Sequence, residues 1–316
     1  MPDFVIGVDV SKRWLDVSLA GGRARRVEME AGALAALAAE AQERGALVVF
    51  EATGAYDAPL REALEAADVA YARVNPAQAR PAQARAFAQG CGILGKTDAV
   101  DARVLAEMGA RLDLSPTEPL APARRALRSL AVRRRQLVEM RKQELARRDG
   151  LGPSPMQASI ERHIAWLDGE VAALDSDIAA LTAADPEISA CARLLRSAPG
   201  VGPVVAAALL ADCPELGKLG RRQLAKIAGL APLARDSGQY KGARAIRGGR
   251  PDLRARLYNA AFSACRCDPE FKALRTRLTA EGKPFKAIII TAAHKLLRRL
   301  NAMIKSGQPY APQPSP

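Results

Sequence analysis

The chain has 316 residues, 49% of them hydrophobic and only 4% aromatic, and a formal charge of +13. That length and apolar content exclude a disordered polymer and allow two domains with cores of their own. The alanine-rich, aromatic-poor composition favours helices over a β-sandwich or barrel, and no apolar run approaches the roughly 20 residues of a membrane span.

Residues 4–10 and 14–20 read as a strand pair and 24–29 as a third strand. Residues 31–44 form a predicted helix, 46–51 a buried strand, 57–68 a helix, 69–74 a strand and 75–89 a helix. A glycine-containing loop, 90–96, leads to a helix over 98–110. The order βββ-α-β-α-β-α predicts an α/β sheet domain over 1–112. Three prolines make 113–122 a linker. Long helical stretches at 123–149 and 156–183, parted by a Gly/Pro break, predict an antiparallel hairpin, an arm over 123–185. Ile160, Ile164, Leu167, Val171 and Leu174 alternate steps of four and three, a coiled-coil seam. A dimer contact and packing on the partner helix are equally open. Residues 186–306 read as a mainly helical domain. It contains a turn at 197–203, a short helix at 218–228, a Gly/Arg-rich loop at 229–250 and three helices to about 304. The tail, 307–316, reads as loose.

The charge is regional. Residues 122–150 carry ten Lys/Arg against three acids, and 218–256 carry eleven against two. Such concentration points to nucleic acid. A solubility-driven surface or an anionic membrane ranks lower, because one segment is a glycine-rich loop and not an amphipathic anchor. Arg133, Arg134 and Arg135 in the first segment, and Lys241, Arg244, Arg247 and Arg250 in the second, are candidate phosphate contacts. The five cysteines form no CxxC pair, and with two histidines they argue against structural zinc. Free thiols fit a reducing cytosol. Asp9 and Lys12 break the first apolar stretch, so no signal peptide is expected.

Four carboxylates stand in unusual settings. Asp9 lies inside the apolar run Phe4-Val-Ile-Gly-Val-Asp9-Val10, where an unpaired charge is costly. Glu51 ends the run Ala46-Leu-Val-Val-Phe-Glu51, a strand-end position where α/β sheets place functional groups. Asp98 and Asp101 share a helix face. Each has a plain alternative: an ion pair for Asp9, a solvated strand end for Glu51, an N-cap and a first-turn acid for the helical pair. Together they fit a ribonuclease-H-like layout, in which acids on the first strand, the fourth strand and a later helix hold divalent metal for phosphoryl transfer. An actin-like sugar kinase shares the Gly-x-Asp-x-Ser strand but would need a second β-rich domain.

Ser197-Ala-Pro-Gly-Val-Gly-Pro203 resembles a helix-hairpin-helix turn, in which Gly200 and Gly202 let backbone amides approach a phosphate. Its plain reading is a helix-breaking turn. In the cationic loop Asp236-Ser-Gly-Gln-Tyr-Lys241, Ser237 is a candidate nucleophile, Arg and Lys neutralising the phosphorane. Spacing alone favours an ordinary turn serine. Tyr240 and Tyr258 are alternatives, but a tyrosine recombinase would want a histidine-bearing set. His163 and His294 read as residues on helix faces.

These motifs carry a family resemblance. Gly7-Val-Asp9-Val-Ser-Lys12, Glu51-Ala-Thr-Gly-Ala-Tyr56 and Lys96-Thr-Asp98-Ala-Val-Asp101 resemble the N-terminal motifs of the DEDD transposases of insertion sequences. These are bridge-RNA-guided serine recombinases related to the pilin-gene invertase Piv. Pro199-Gly-Val-Gly202, Ala228-Gly-Leu-Ala-Pro232, Ser237-Gly238, Gly248-Gly-Arg250, Leu257-Tyr-Asn-Ala-Ala261 and Gly282-Lys-Pro284 extend the match over nearly the whole chain. Gly95 departs from the expected alanine, and the chain is at the short end for the family. The resemblance implies an α/β RNase H-like (RuvC-like) domain whose Asp9, Glu51, Asp98 and Asp101 are catalytic and bind divalent metal, Mg2+. It implies a mainly α transposase domain whose Ser237 becomes covalently linked to DNA. It also implies donor and target DNA, a bridge RNA, a homo-oligomer (dimer or tetramer) and a cytoplasmic, nucleoid-associated place of action. The alternative is a RuvC-like metal-dependent nuclease or junction resolvase without a covalent intermediate.

Overall fold

The computed structural model describes residues 4–54, 56–74, 83–93, 95, 97–112, 114–152, 154–233, 236–237, 240–241, 245–246 and 248–312. The chain divides into two compact units, Met1–Pro119 and Leu120–Pro316.

The first unit is built on one five-stranded sheet, β1 (Val5–Val10), β2 (Trp14–Leu19), β3 (Arg25–Glu28), β4 (Leu47–Glu51) and β5 (Tyr71–Val74). Its spatial order is β3-β2-β1-β4-β5. Only β2 runs against the others: β1, β4 and β5 pair in parallel, while β2 is antiparallel to β1 and β3. Alternation along the strands sets two faces. Ile6, Val8, Val48 and Phe50 point to a core closed by α1 (Ala31–Glu43) and α2 (Ala58–Ala66). Val5, Leu47 and Val49 point the other way, onto Leu105 and Met108 of α4 (Asp98–Arg111). The short α3 (Gln83–Gly90) lies on that second side with Phe87. The predicted helix over 75–89 is seen only in this part, since 75–82 lie outside the described residues.

Gly7 permits the close seating of α4. A Cβ there would lie 2.1 Å from the Ala102 carbonyl oxygen and 2.3 Å from the Ala106 nitrogen. The helix backbone therefore rests directly on β1, two residues before Asp9.

The predicted linker is not slack. The Thr117 backbone N–H donates to the Tyr71 carbonyl (2.7 Å), and the Arg73 N–H donates to Thr117 Oγ1 (2.9 Å). The segment thus covers part of the β5 edge, whose unpaired backbone groups need partners.

In the second unit, α5 (Pro122–Gly150) and α6 (Gln157–Ala184) form the antiparallel arm. Proline at the first helical position of α5 costs no hydrogen bond. The heptad seam is used within the chain: Ile164, Leu167 and Ile178 are buried, and Arg134 of α5 pairs with Asp175 of α6 (2.5 Å). The base of the arm joins the main core through Leu127, Ala131 and Ile178. That core is completed by α7 (Pro186–Arg196), α8 (Pro203–Asp212), α9 (Arg221–Ala228), α10 (Pro251–Cys267), α11 (Pro269–Ala280) and α12 (Phe285–Ser306).

Two expectations change here. The Gly/Arg-rich loop contains two short ladders: β6 (Pro232–Leu233) with β9 (Ala245–Ile246), and inside it β7 (Asp236–Ser237) with β8 (Tyr240–Lys241). The tail is held at Tyr310. Its O–H reaches Asp268 and Glu270 (3.2 Å each), and its backbone N–H donates to Ser197 Oγ (2.9 Å). One aromatic side chain with buried acids to bind outweighs the proline-rich composition around it.

Candidate active site

Strand register assembles the acids. Asp9 sits opposite Asp16 of β2, and Asp16 opposite Arg26 of β3. A row Asp9–Asp16–Arg26 therefore crosses the sheet on the face that carries α4. Glu51 ends β4 on the same face, in phase with Leu47 and Val49. Helix α4 brings Asp98 and Asp101 in its first turn. Its N-cap is Thr97, whose side chain accepts from the Val100 N–H (3.2 Å), so Asp98 does not serve as the cap.

The half-buried Asp9 carboxyl registers this company. Its pKa rises from the ordinary 3.8 to about 6, first through burial and then through the charges of Asp101, Asp98, Glu51 and Asp16. The three other predicted acids therefore all act on Asp9. Among the described residues, no three acid, histidine or cysteine side chains close to a spacing that could hold a metal ion. The donor set is oxygen only, which suits a hard cation such as Mg2+ and not zinc or copper.

Three residues escaped the sequence reading. Asp16 is buried and receives Arg26 on both oxygens (Nε–Oδ1 3.3 Å, Nη2–Oδ2 3.0 Å). The same Arg26 Nη2 lies 3.5 Å from Asp98 Oδ2. Asp57 is fully buried and organises the turn after Glu51. It accepts from the Thr53 N–H (3.1 Å), from Arg61 Nε (3.1 Å) and from Arg73 Nε (2.8 Å). Asp16 gave the same signal as Asp9, an acid in an apolar run, and the hairpin register made them neighbours. Asp57 gave none, since an acid before a helix reads as a cap.

The second unit distributes its candidates differently. Gly200 has φ +76°, and a Cβ on it would lie 2.1 Å from the Ala260 carbonyl oxygen. Close packing of the turn on α10 therefore already requires glycine. Gly202 starts α8 at φ −81° with open space around its Cβ position. Ser237 lies on β7, paired with Tyr240, and Lys241 pairs with Asp236. Arg244 and Arg247 lie outside the described residues. The base of this hairpin is fastened: the Arg250 N–H donates to the Ile227 carbonyl (2.7 Å), and its guanidinium to Glu215 (2.5 Å) and the Asp212 carbonyl (2.5 Å). On α5, Arg134 is paired with Asp175 and Arg135 with Asp252 (2.9 Å), whereas Arg133 is exposed beside Gln136. Tyr258 packs against the core, and His163 and His294 lie on α6 and α12.

Comparison with known proteins adds an independent line. Residues 192–276 match the transposase family described as IS116/IS110/IS902, and residues 6–151 match the IS110-type DEDD transposase family. The chain is 28% identical over 271 residues to the pilin gene-inverting protein of Moraxella lacunata, covering 83% of this chain and 81% of the relative. It is 33% identical over 119 residues to an insertion element IS110 protein of Streptomyces coelicolor, covering 37% and 29% of the two chains. To an insertion element IS900 protein of Mycobacterium paratuberculosis it is 35% identical over 127 residues, covering 38% and 31%.

Proposed function

The chain belongs to the IS116/IS110/IS902 family of transposases, enzymes that recombine DNA, and on that premise we propose that it carries out phosphoryl transfer with a metal-binding carboxylate cluster and a serine nucleophile, through a serine–DNA intermediate. The observation that carries the metal half is the Asp9 carboxyl under the combined charge of Asp101, Asp98 and Glu51. The sheet order, with one antiparallel strand and acids at the ends of β1 and β4, is compatible with an RNase H-like (RuvC-like) domain.

In this reading Asp9, Glu51, Asp98 and Asp101 hold divalent metal, Mg2+ by donor chemistry. When bound, that metal neutralises charge developing on the phosphate. The Ser237 Oγ forms a bond to phosphorus while the bond from phosphorus to the departing deoxyribose oxygen breaks. The serine proton leaves to a base, and the departing oxygen is protonated. Lys241, Arg244 and Arg247 surround the serine in sequence and supply positive charge to the phosphorane. Gly202 and Arg133 bind the DNA backbone. A bridge RNA, a dimeric or tetrameric assembly joining donor and target DNA, and a cytoplasmic, nucleoid-associated setting belong to the same proposal and rest on the family.

The test is an SDS-resistant protein–DNA adduct formed with Mg2+ and cognate DNA. Ser237→Ala is expected to abolish the adduct while DNA binding persists, and Asp9→Asn to abolish it at unchanged affinity. Cleavage that persists in Ser237→Ala with free 5′-phosphate ends would instead identify a RuvC-like nuclease with water as nucleophile. Copurification of RNA that is needed for strand exchange tests the guide.

A further inference from the structure

We propose that Arg26 is a resident counter-charge of the acid cluster, competing with the divalent cation for Asp98 and thereby setting how tightly the site binds it. This rests on the metal reading above and adds a positioning residue that acts through Asp98.

The register places Arg26 at the end of the row Asp9–Asp16–Arg26. The guanidinium is half exposed, but its anchor is not: the Asp16 side chain is only 9% exposed and is engaged by Nε and Nη2. A buried carboxylate held on both oxygens fixes the fork. The Nη2 group is then left 3.5 Å from Asp98 Oδ2, and the Asp98 side chain is 63% exposed. Asp98 is thus the mobile partner of the pair. It can face Arg26, or turn toward Asp9 and Asp101 to ligate a cation, while Arg26 stays on Asp16. Asp16 has a matching role. By occupying Arg26 it weakens the hold on Asp98, and its own negative charge adds to the field at Asp9.

The two members of one ion pair should therefore shift cation affinity in opposite directions. A merely structural pair would not, because breaking it from either side would loosen the same elements.

Mn2+ binding to the full chain, measured by titration calorimetry and by loss of the free-ion EPR signal, tests this. Arg26→Gln is expected to tighten Mn2+ binding roughly three- to tenfold, and Asp16→Asn to weaken it by a similar factor. Arg26→Gln alone leaves Asp16 buried without its cation and can unfold the chain. The double variant D16N/R26Q avoids that, and relative to D16N it is expected to tighten binding. Arg26→Lys, which keeps the charge, is expected to bind close to wild type. Equal or weaker Mn2+ binding on adding R26Q to a D16N chain that keeps its circular dichroism overturns the proposal and leaves the metal reading standing. Wild-type protein without any Mn2+ binding sensitive to Asp9→Asn overturns both.

Discussion

Asp9 holds a charge that its surroundings oppose. Burial comes first and four neighbouring carboxylates follow, so its pKa stands near 6 in the folded chain. The linkage has a definite sign: an acid whose folded pKa is raised contributes least above that pKa. Below about pH 4 both folded and unfolded chains carry the proton. Between about pH 4 and 6 the unfolded chain ionises first, and folding stability is lost as pH rises. In buffer with a chelator, Asp9→Asn should therefore melt higher than wild type above pH 6 and together with it near pH 4. Screening of a side chain this accessible leaves on the order of 1 kcal/mol, a few °C at this size. A variant that melts lower at pH 7 would show that Asp9 is satisfied by an ion pair. The signal for Asp9 was legible because charge inside an apolar run has few explanations. Arg26 was not, since an arginine in a short polar edge strand looks like any solvated residue until the register sets it against Asp16.

At the scale of elements, α4 delivers two of the four acids, and Gly7 decides how closely it can do so. Gly7→Ala would drive a methyl into the Ala102 and Ala106 backbone. It should cost about 2–4 kcal/mol by urea titration and weaken Mn2+ binding as Asp98 and Asp101 move away from Asp9. In the 199–202 turn the two glycines separate packing from contact. Gly200→Ala meets both a positive φ and the Ala260 carbonyl and should destabilise by a similar amount. Gly202→Ala should stay within roughly 0.5 kcal/mol of wild type, so a loss of DNA affinity there would report a phosphate contact. If both variants keep wild-type urea midpoints, the packing role assigned to Gly200 is wrong. The long helices α5 and α12 were legible because a proline start and a glycine end bound them, and α6 because of its period. The hairpin holding Ser237 was not, because strands of two residues carry no periodicity. The fastening at its base depends on Arg250 meeting Glu215, 35 positions away.

For the molecule as a whole, the 47 lysines and arginines overstate the cations free to meet a polyanion. Composition counts arginines but cannot tell which ones the fold pairs. Arg134 and Arg141 of α5 meet Asp175 and Asp168 of α6, Arg135 meets Asp252, and Arg250 meets Glu215 and a backbone carbonyl. These acids lie distant in sequence, so the pairing appears only once the arm folds back on itself and the helices of the main core pack. Arg133 is the exposed member of its triplet, beside Gln136 of its own helix. Each phosphate neutralised by a protein cation contributes a slope of about −0.9 to the logarithm of affinity against the logarithm of salt. Arg133→Ala should therefore weaken binding to a DNA duplex severalfold at low salt and flatten that slope by nearly one. Arg250→Ala should leave the slope within error and lower the unfolding midpoint, because Glu215 loses a two-pronged partner worth about 1–3 kcal/mol. Fluorescence anisotropy across a salt series, beside urea titrations of both variants, separates the two arginines. A flattened slope for Arg250→Ala with an unchanged midpoint would move Arg250 from the fold to the DNA interface.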